Sequence, residues 1–202
     1  TSVNMGSATT ITISRASSSF THTLTYAFGN STGTITTKTT STSVSWTPAL
    51  TLANQIPSTT SGTCTITCDT YNGSSKIGTK TCTLTLTVPS SVKPTISSLT
   101  ATRVDGSVPA AWGIYVQSKS KATLTINGAA GIYGSTIKSY SISGGGYSGT
   151  QSSLTTGFLN SSGTITFTAT VTDSRGKTSA AATVSISVVA YSPPSFSSYN
   201  SQ

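Results

Sequence analysis

Ile165-Thr166-Phe167-Thr168-Ala169-Thr170-Val171-Thr172, then Asp173-Ser174-Arg175-Gly176, then Ala180, Ala182, Val184 and Ile186 at alternate positions, is the stretch whose reading decides the fold. Apolar side chains occupy every second position and Thr fills most of those between. A period of two is that of a strand with one buried face. Thr suits the pleated surface through its branched β-carbon and keeps its hydroxyl in water, so it supplies strand propensity and solubility together. The Asp-Ser-Arg-Gly stretch is a turn signal, and only an even-length loop keeps both apolar rows inward. The pattern therefore predicts an antiparallel hairpin with Ala169 opposite Ala180 and Phe167 opposite Ala182.

The same alternation continues outward. Strands are expected at 10–14, 20–28, 33–39, 43–46, 62–70 and 80–88, then at 96–104, 113–117, 122–126, 137–142, 163–172 and 179–188. Two sandwiches of about 100 residues fit the length. A proline-bearing segment, Val92-Lys93-Pro94-Thr95-Ile96, follows the first set, and Ser192-Pro193-Pro194-Ser195-Phe196 follows the second. The reading is an all-β chain of two tandem immunoglobulin-like antiparallel β-sandwiches. Residues 1–90 form the first module, 93–190 the second, and 191–202 a linker or the start of a further module. Trp46 and Trp112 are expected to anchor the cores.

Only 7% of residues are charged, against about a quarter in an ordinary domain. The net charge of +8 comes from 11 Lys and Arg against three acids. These cations are scattered, Lys119 and Lys121 being the tightest grouping, and they form no stripe interleaved with stacking aromatics. Nucleic acid is therefore not an expected partner, whereas mild attraction to anionic cell-wall polymers fits the balance. No apolar run approaches the roughly 20 residues of a membrane span, so no membrane partner is expected.

Chemistry is mostly excluded. The chain has no Glu, and Asp69, Asp105 and Asp173 lie in three separate places, whereas glycoside cleavage needs two acids within about 10 Å. Asp69 falls out of phase with its apolar neighbours and should face solvent, and Asp105 and Asp173 read as loop residues. His22 is the one histidine, too little for a triad or a histidine metal site. Cys64 and Cys68 on one strand face would sit about 13 Å apart, too far for one zinc ion. No catalytic residue, metal or cofactor is expected, and the chain reads as non-enzymatic.

Cys64, Cys68 and Cys82 make an odd count. A turn at Tyr71-Asn72-Gly73-Ser74 joins the strands that carry them. A hairpin centred near Ser75 sets Cys68 opposite Cys82 and leaves a cross-strand disulfide as the alternative to the preferred reading, buried free thiols. For ligand contact, Tyr133 and Tyr147 stand out as loop aromatics able to stack on a sugar or fill a partner pocket, although such residues more often cap a core.

Phe20-Thr21-His22-Thr23-Leu24-Thr25-Tyr26, Ser45-Trp46-Thr47-Pro48, Gln55-Ile56-Pro57 and Thr70-Tyr71-Asn72-Gly73-Ser74 resemble a family of siphovirus minor structural, tail-associated proteins. Tyr115-Val116-Gln117-Ser118-Lys119-Ser120-Lys121 and Val171-Thr172-Asp173-Ser174-Arg175-Gly176 are similar to the same group. The likeness spans nearly the whole chain and implies tailed-phage virions, often of Gram-positive hosts, with no catalytic or ligand residues to carry over. It implies a virion component, tail or fibre associated, displaying or contributing to host attachment. Such a protein would assemble in the host cytoplasm and act outside the cell. Its partners would be other virion proteins or host-surface glycan or protein; the oligomeric state is not legible. The alternative is a bacterial surface adhesin or stalk module.

Overall fold

The computed structural model describes residues 1–104 and 106–196. The expectation of a linker or further module at 191–202 lies partly outside the described residues, as does Asp105. The chain divides into two compact units. The first is Thr1–Lys93 with Gly131–Thr136 and Asp173–Lys177, and the second is Pro94–Ala130, Ile137–Thr172 and Thr178–Gln202.

In the first unit the strands are β1 (Ser2–Asn4), β2 (Thr9–Thr12), β3 (Thr21–Phe28), β4 (Ser31–Thr39), β5 (Ser43–Trp46), β6 (Ser61–Asn72) and β7 (Ser75–Thr87). They form a five-stranded sheet in the order β1-β7-β6-β3-β4, with β2 and β5 as a second, two-stranded sheet. A 3₁₀ segment, Leu50–Gln55, lies in the irregular connection before β6. The second unit contains β8 (Ser98–Val104), β9 (Tyr115–Val116), β10 (Lys121–Asn127), β11 (Ile137–Gly144), β12 (Tyr147–Gly149), β13 (Ser153–Thr155), β14 (Gly163–Asp173) and β15 (Ala182–Val189). Its sheets run β12-β11-β14-β15-β9 and β13-β10-β8. Each unit thus places its last hairpin inside a five-stranded sheet and sets a smaller sheet apart, an immunoglobulin-like arrangement.

The hairpins β3–β4, β6–β7, β11–β12 and β14–β15 are antiparallel, as are β3–β6, β2–β5, β8–β10 and β10–β13, whereas one edge of each large sheet is parallel. There β1 runs parallel to β7, with Val3 beside Leu86, and β9 runs parallel to β15, with Tyr115 beside Val188. Strands β1, β12 and β13 have three residues each, too few for alternation to register. The apolar rows fill the cores: Leu24, Phe28, Cys64, Ile66 and Leu86 in the first unit, and Leu124, Ile142, Ile165, Phe167 and Val171 in the second. Phe167 is 0% exposed. Gly144 lets β11 pass close to it, since a Cβ there would come within 2.5 Å of the Thr166 carbonyl oxygen.

Both central hairpins keep most of the expected faces but differ in register, and two residues expected to be buried, Ala180 and Cys82, are exposed, while Cys68 is half-buried. Ala169 pairs with Ala182 and Phe167 with Val184, two residues beyond the expected partners. Ser179 accounts for the shift: its N–H donates to the Val171 carbonyl at 2.9 Å and its hydroxyl accepts from the Val171 N–H at 3.1 Å. Between that pair and the next, one strand uses three residues where its partner uses two. In the first unit Asn72 pairs with Ser75 across a Gly73-Ser74 turn, and a bulge then leaves Ile77 outside the ladder and 51% exposed. Cys68 consequently faces Lys80, and Cys82 faces Ile66. The Cys68–Cys82 disulfide is thereby corrected. The two are diagonal neighbours, a relation that puts Cα atoms about 7–8 Å apart, beyond the usual disulfide span, and all three cysteines are free.

Trp46 stacks at 5.1 Å on Tyr26 and packs against the first core, as expected. Trp112 does not join a core; it is 62% exposed.

Asp173 and Arg175 are not solvated turn residues either, being 1% and 7% exposed. The Asp173 carboxylate accepts from the backbone N–H groups of Arg175 at 3.0 Å and Lys177 at 2.9 Å, which tightens the loop. Within the first unit the Arg175 guanidinium then donates to four carbonyls: Ile56 at 3.1 Å, Ala53 at 2.8 Å, Ile132 at 2.8 Å, and Tyr133. Burial lowers the Arg175 pKa, and the Asp173 carboxylate opposes that shift. Lys177 donates to the Val88 and Pro89 carbonyls at 3.0 and 2.6 Å. Removing the guanidinium leaves buried carbonyls unpaired, so Arg175→Ala is expected to destabilise the first unit by on the order of 3 kcal/mol. Arg175→Lys should recover little, because an ammonium lacks the planar fork. Urea unfolding followed by Trp46 fluorescence in a Trp112→Phe background measures both, and a wild-type midpoint in Arg175→Ala would contradict this account.

Candidate functional site

Neither tyrosine singled out by sequence is an open platform. Tyr133 is half-buried with its ring against the first core, at a backbone φ of 49°, and its carbonyl is one of the four held by Arg175. Tyr147 packs against the second core and donates its hydroxyl to the Phe158 carbonyl at 2.6 Å. Both rings are spent on packing.

The exposed aromatic surface lies elsewhere in the second unit, and it is built from the loop upward. After β8 the chain passes Pro109, makes a 3₁₀ turn over Ala110–Trp112, and reverses at Gly113 in the left-handed region at φ 63°. A residue with a Cβ is disfavoured there, so glycine fixes the direction in which Trp112 leaves the turn. Arg103 clasps the loop from both sides, donating to the Ala110 carbonyl at 2.9 Å, the Ile114 carbonyl at 3.2 Å and the Pro109 carbonyl at 3.4 Å. Trp112, Val108, Pro109, Val116, Lys119 and Tyr191 line a cleft of about 320 Å³, at the small end of the range for ligand sites. Lys119 Nζ lies 5.2 Å from the Tyr191 ring centre, and Lys121 Nζ lies 4.8 Å from that of Phe158. Ser118, at φ 59°, bends the chain between β9 and these lysines, and its N–H donates to the Leu159 carbonyl at 2.8 Å. Sequence reasoning grouped Lys119 with Lys121 but counted Trp112 as core. The Pro109 and Gly113 that frame its turn were the signal that it sits on a loop.

Several titratable groups of the first unit have structural partners. Asp69 pairs with Lys76 at 2.8 Å and accepts from the Thr79 hydroxyl at 2.6 Å, and these two bonds hold its pKa below the ordinary carboxylate value. His22 is buried, with Nδ1 3.1 Å from the Thr70 hydroxyl and 3.8 Å from the Cys68 sulfur. Cys68, Cys82, Lys80, Ile11 and Ile66 line a groove of about 260 Å³ between β2 and the large sheet. Burial pushes the Cys68 thiol up, and pushes Cys64 up to about 11. Thiolate is the reactive form. A thiol reagent at pH 8 is therefore expected to label exposed Cys82 first, Cys68 more slowly and Cys64 only on unfolding, as peptide mapping will show; early labelling of Cys64 would contradict its burial. The raised Cys64 pKa also favours the folded state fully below pH 9.0, its ordinary value, and that contribution is lost as pH rises through about 11. Cys64→Ala should flatten this part of the stability profile.

Among the described residues no three His, Cys, Asp or Glu side chains gather as a metal site, and no helix is long and apolar enough to cross a membrane. No curated protein matches the chain. Among solved structures it is similar to the fibronectin(III)-like modules of Clostridium thermocellum CbhA, at 14% identity and TM-score 0.35, covering 94% of this chain and 89% of that one. It is also similar to the FN1-FN3 domains of chicken CNTN1, at 11% identity and TM-score 0.35, covering 92% of this chain and 64% of that one. The family described as "Siphovirus protein of unknown function (DUF859)" matches residues 1–202. Its match takes in every strand and every residue of the cleft, and the chain belongs to this siphovirus family.

Proposed function

We propose that this siphovirus protein is a non-enzymatic structural component of the virion, associated with the tail or its fibres, that contributes to attachment at the host surface. The observation that carries this reading is where the exposed apolar area lies. Of the large hydrophobics exposed by a third or more among the described residues, Ile77 alone belongs to the first unit, while Trp112, Ile114, Phe158, Val189, Tyr191 and, beyond the last strand, Phe196 belong to the second. Exposed apolar groups gathered in one region mark interaction surfaces. The strands supply a rigid, Thr-clad scaffold, and loops on such a scaffold are where contact is made. Asp69, Asp173 and His22 are engaged in holding the first unit together, so the available chemistry is recognition. The partners are other virion proteins or host-surface glycan or protein.

Mass spectrometry and immunogold microscopy of purified particles, with antibody against this chain, test the proposal. The expected result is a particle-associated protein with label confined to the tail. A chain absent from particles and found on the bacterial envelope would overturn it in favour of an adhesin.

A further inference from the structure

We infer that the Trp112 cleft of the second unit binds an anionic glycan, with a sugar ring against Trp112 and the phosphate or carboxylate of the polymer against Lys119 and Lys121. This rests on the attachment reading above and names its ligand class.

The first support is the cost of the arrangement. Trp is a large apolar side chain that is highly buried on average, yet here it is 62% exposed on a loop held by three hydrogen bonds from Arg103. Such a loop presents the indole without needing to order it at the moment of binding, and preorganisation of this kind raises affinity by lowering the entropic cost. A planar apolar face with a hydrogen-bonding edge suits a partner that is itself amphipathic, as a pyranose ring is, with C–H groups on its faces and hydroxyls at its rim.

Charge supplies the second support. Lys119 lines the same cleft as Trp112, and Lys121, two residues on, sits over the exposed Phe158. Two of the three acids of the chain, Asp69 and Asp173, belong to the first unit. The second unit carries Arg103, Lys119, Lys121 and Lys138 against Asp105, so its balance is four cations to one acid. Two lysines two residues apart, one of them lining the cleft with the exposed indole, match an intermittently charged polymer better than the regular phosphate spacing of nucleic acid, which calls for a longer basic track. The cleft of about 320 Å³ admits one or two sugar rings rather than a folded protein surface.

The test is isothermal titration of the full chain with a cell-wall polysaccharide fragment carrying pendant phosphate groups, the same fragment dephosphorylated, and a single-stranded oligodeoxynucleotide of matched charge. Saturable binding of the phosphorylated fragment is expected, about tenfold tighter than of the dephosphorylated one. Trp112→Ala should lose binding at least tenfold, and Trp112→Phe less. The Lys119→Ala, Lys121→Ala double variant should weaken binding about tenfold and remove most of its salt dependence. Because Trp112 is on the surface, each variant is required to keep the wild-type unfolding midpoint; should Trp112→Ala not, the double-lysine variant and the dephosphorylated fragment carry the decision alone. Unsaturable binding, equal binding of Trp112→Ala, or equal binding of the oligonucleotide overturns the proposal. A tail-borne chain that fails here sinks only the glycan site, whereas a chain that binds the fragment but is absent from particles sinks only the virion reading.

Discussion

The alternation of side chains along a strand is the constraint on which both units depend. Each central hairpin has one row of residues turned to the core, Cys64 and Ile66 with Leu86 in the first unit and Ile165, Phe167, Ala169 and Val171 with Ile186 and Val188 in the second. A slip by one residue would turn an entire row to water, at about 1.5–3 kcal/mol for each large side chain exposed. A slip by two leaves every face as it was. The fold is accordingly strict about parity and permissive about offset, and the bulges at Ile77 and at Ala180 and Ala181 are where each hairpin takes up its offset.

Irregular backbone is the second demand, because a buried carbonyl outside a ladder must find a donor. This chain meets it with arginine. Arg15 donates to the Thr40 carbonyl, Arg103 to three carbonyls of the Trp112 loop, and Arg175 to four carbonyls of the first unit. Two of the three arginines of the sequence thus hold several carbonyls each, and Arg15 holds one, of the exposed Thr40. The positive net charge therefore reflects, in part, a structural use of guanidinium as a multi-carbonyl clasp, for which its planar fork of donors is suited and an ammonium is not.

That division explains what was legible in the sequence. Parity shows in composition, so the strands from Thr21 to Phe28 or from Gly163 to Asp173 were readable from alternating Thr and apolar residues. Offset does not show, because it turns on single hydrogen bonds such as Ser179 to Val171, and so the facing partners of Phe167 and of Cys68 differ by two residues from expectation. The short edge strands β1, β12 and β13 are too brief to carry a period. The burial of Asp173 and Arg175 was hidden for a related reason: a polar turn reads as solvated unless the carbonyls that will fill its donors are known, and those come from residues more than 40 or more than 110 positions earlier in the chain.

Trp112 was the larger misreading, and its correction bears on function. Hydrophobicity alone assigns a tryptophan to the core, but a side chain goes where its backbone aims it. Pro109 sets the entry to the 3₁₀ turn, Gly113 in the left-handed region sets the exit, and Arg103 holds the carbonyls between. A loop built so firmly around an exposed indole is not a failed piece of core, since a disordered or collapsed loop would serve solubility better. The two loop tyrosines expected to be free to contact a ligand are held, Tyr147 by its hydroxyl bond to Phe158 and Tyr133 by packing against the first core. Aromatic surface is thus sorted into rings that close a sandwich and a cluster that does not, and the cluster that does not is the one lined by lysine.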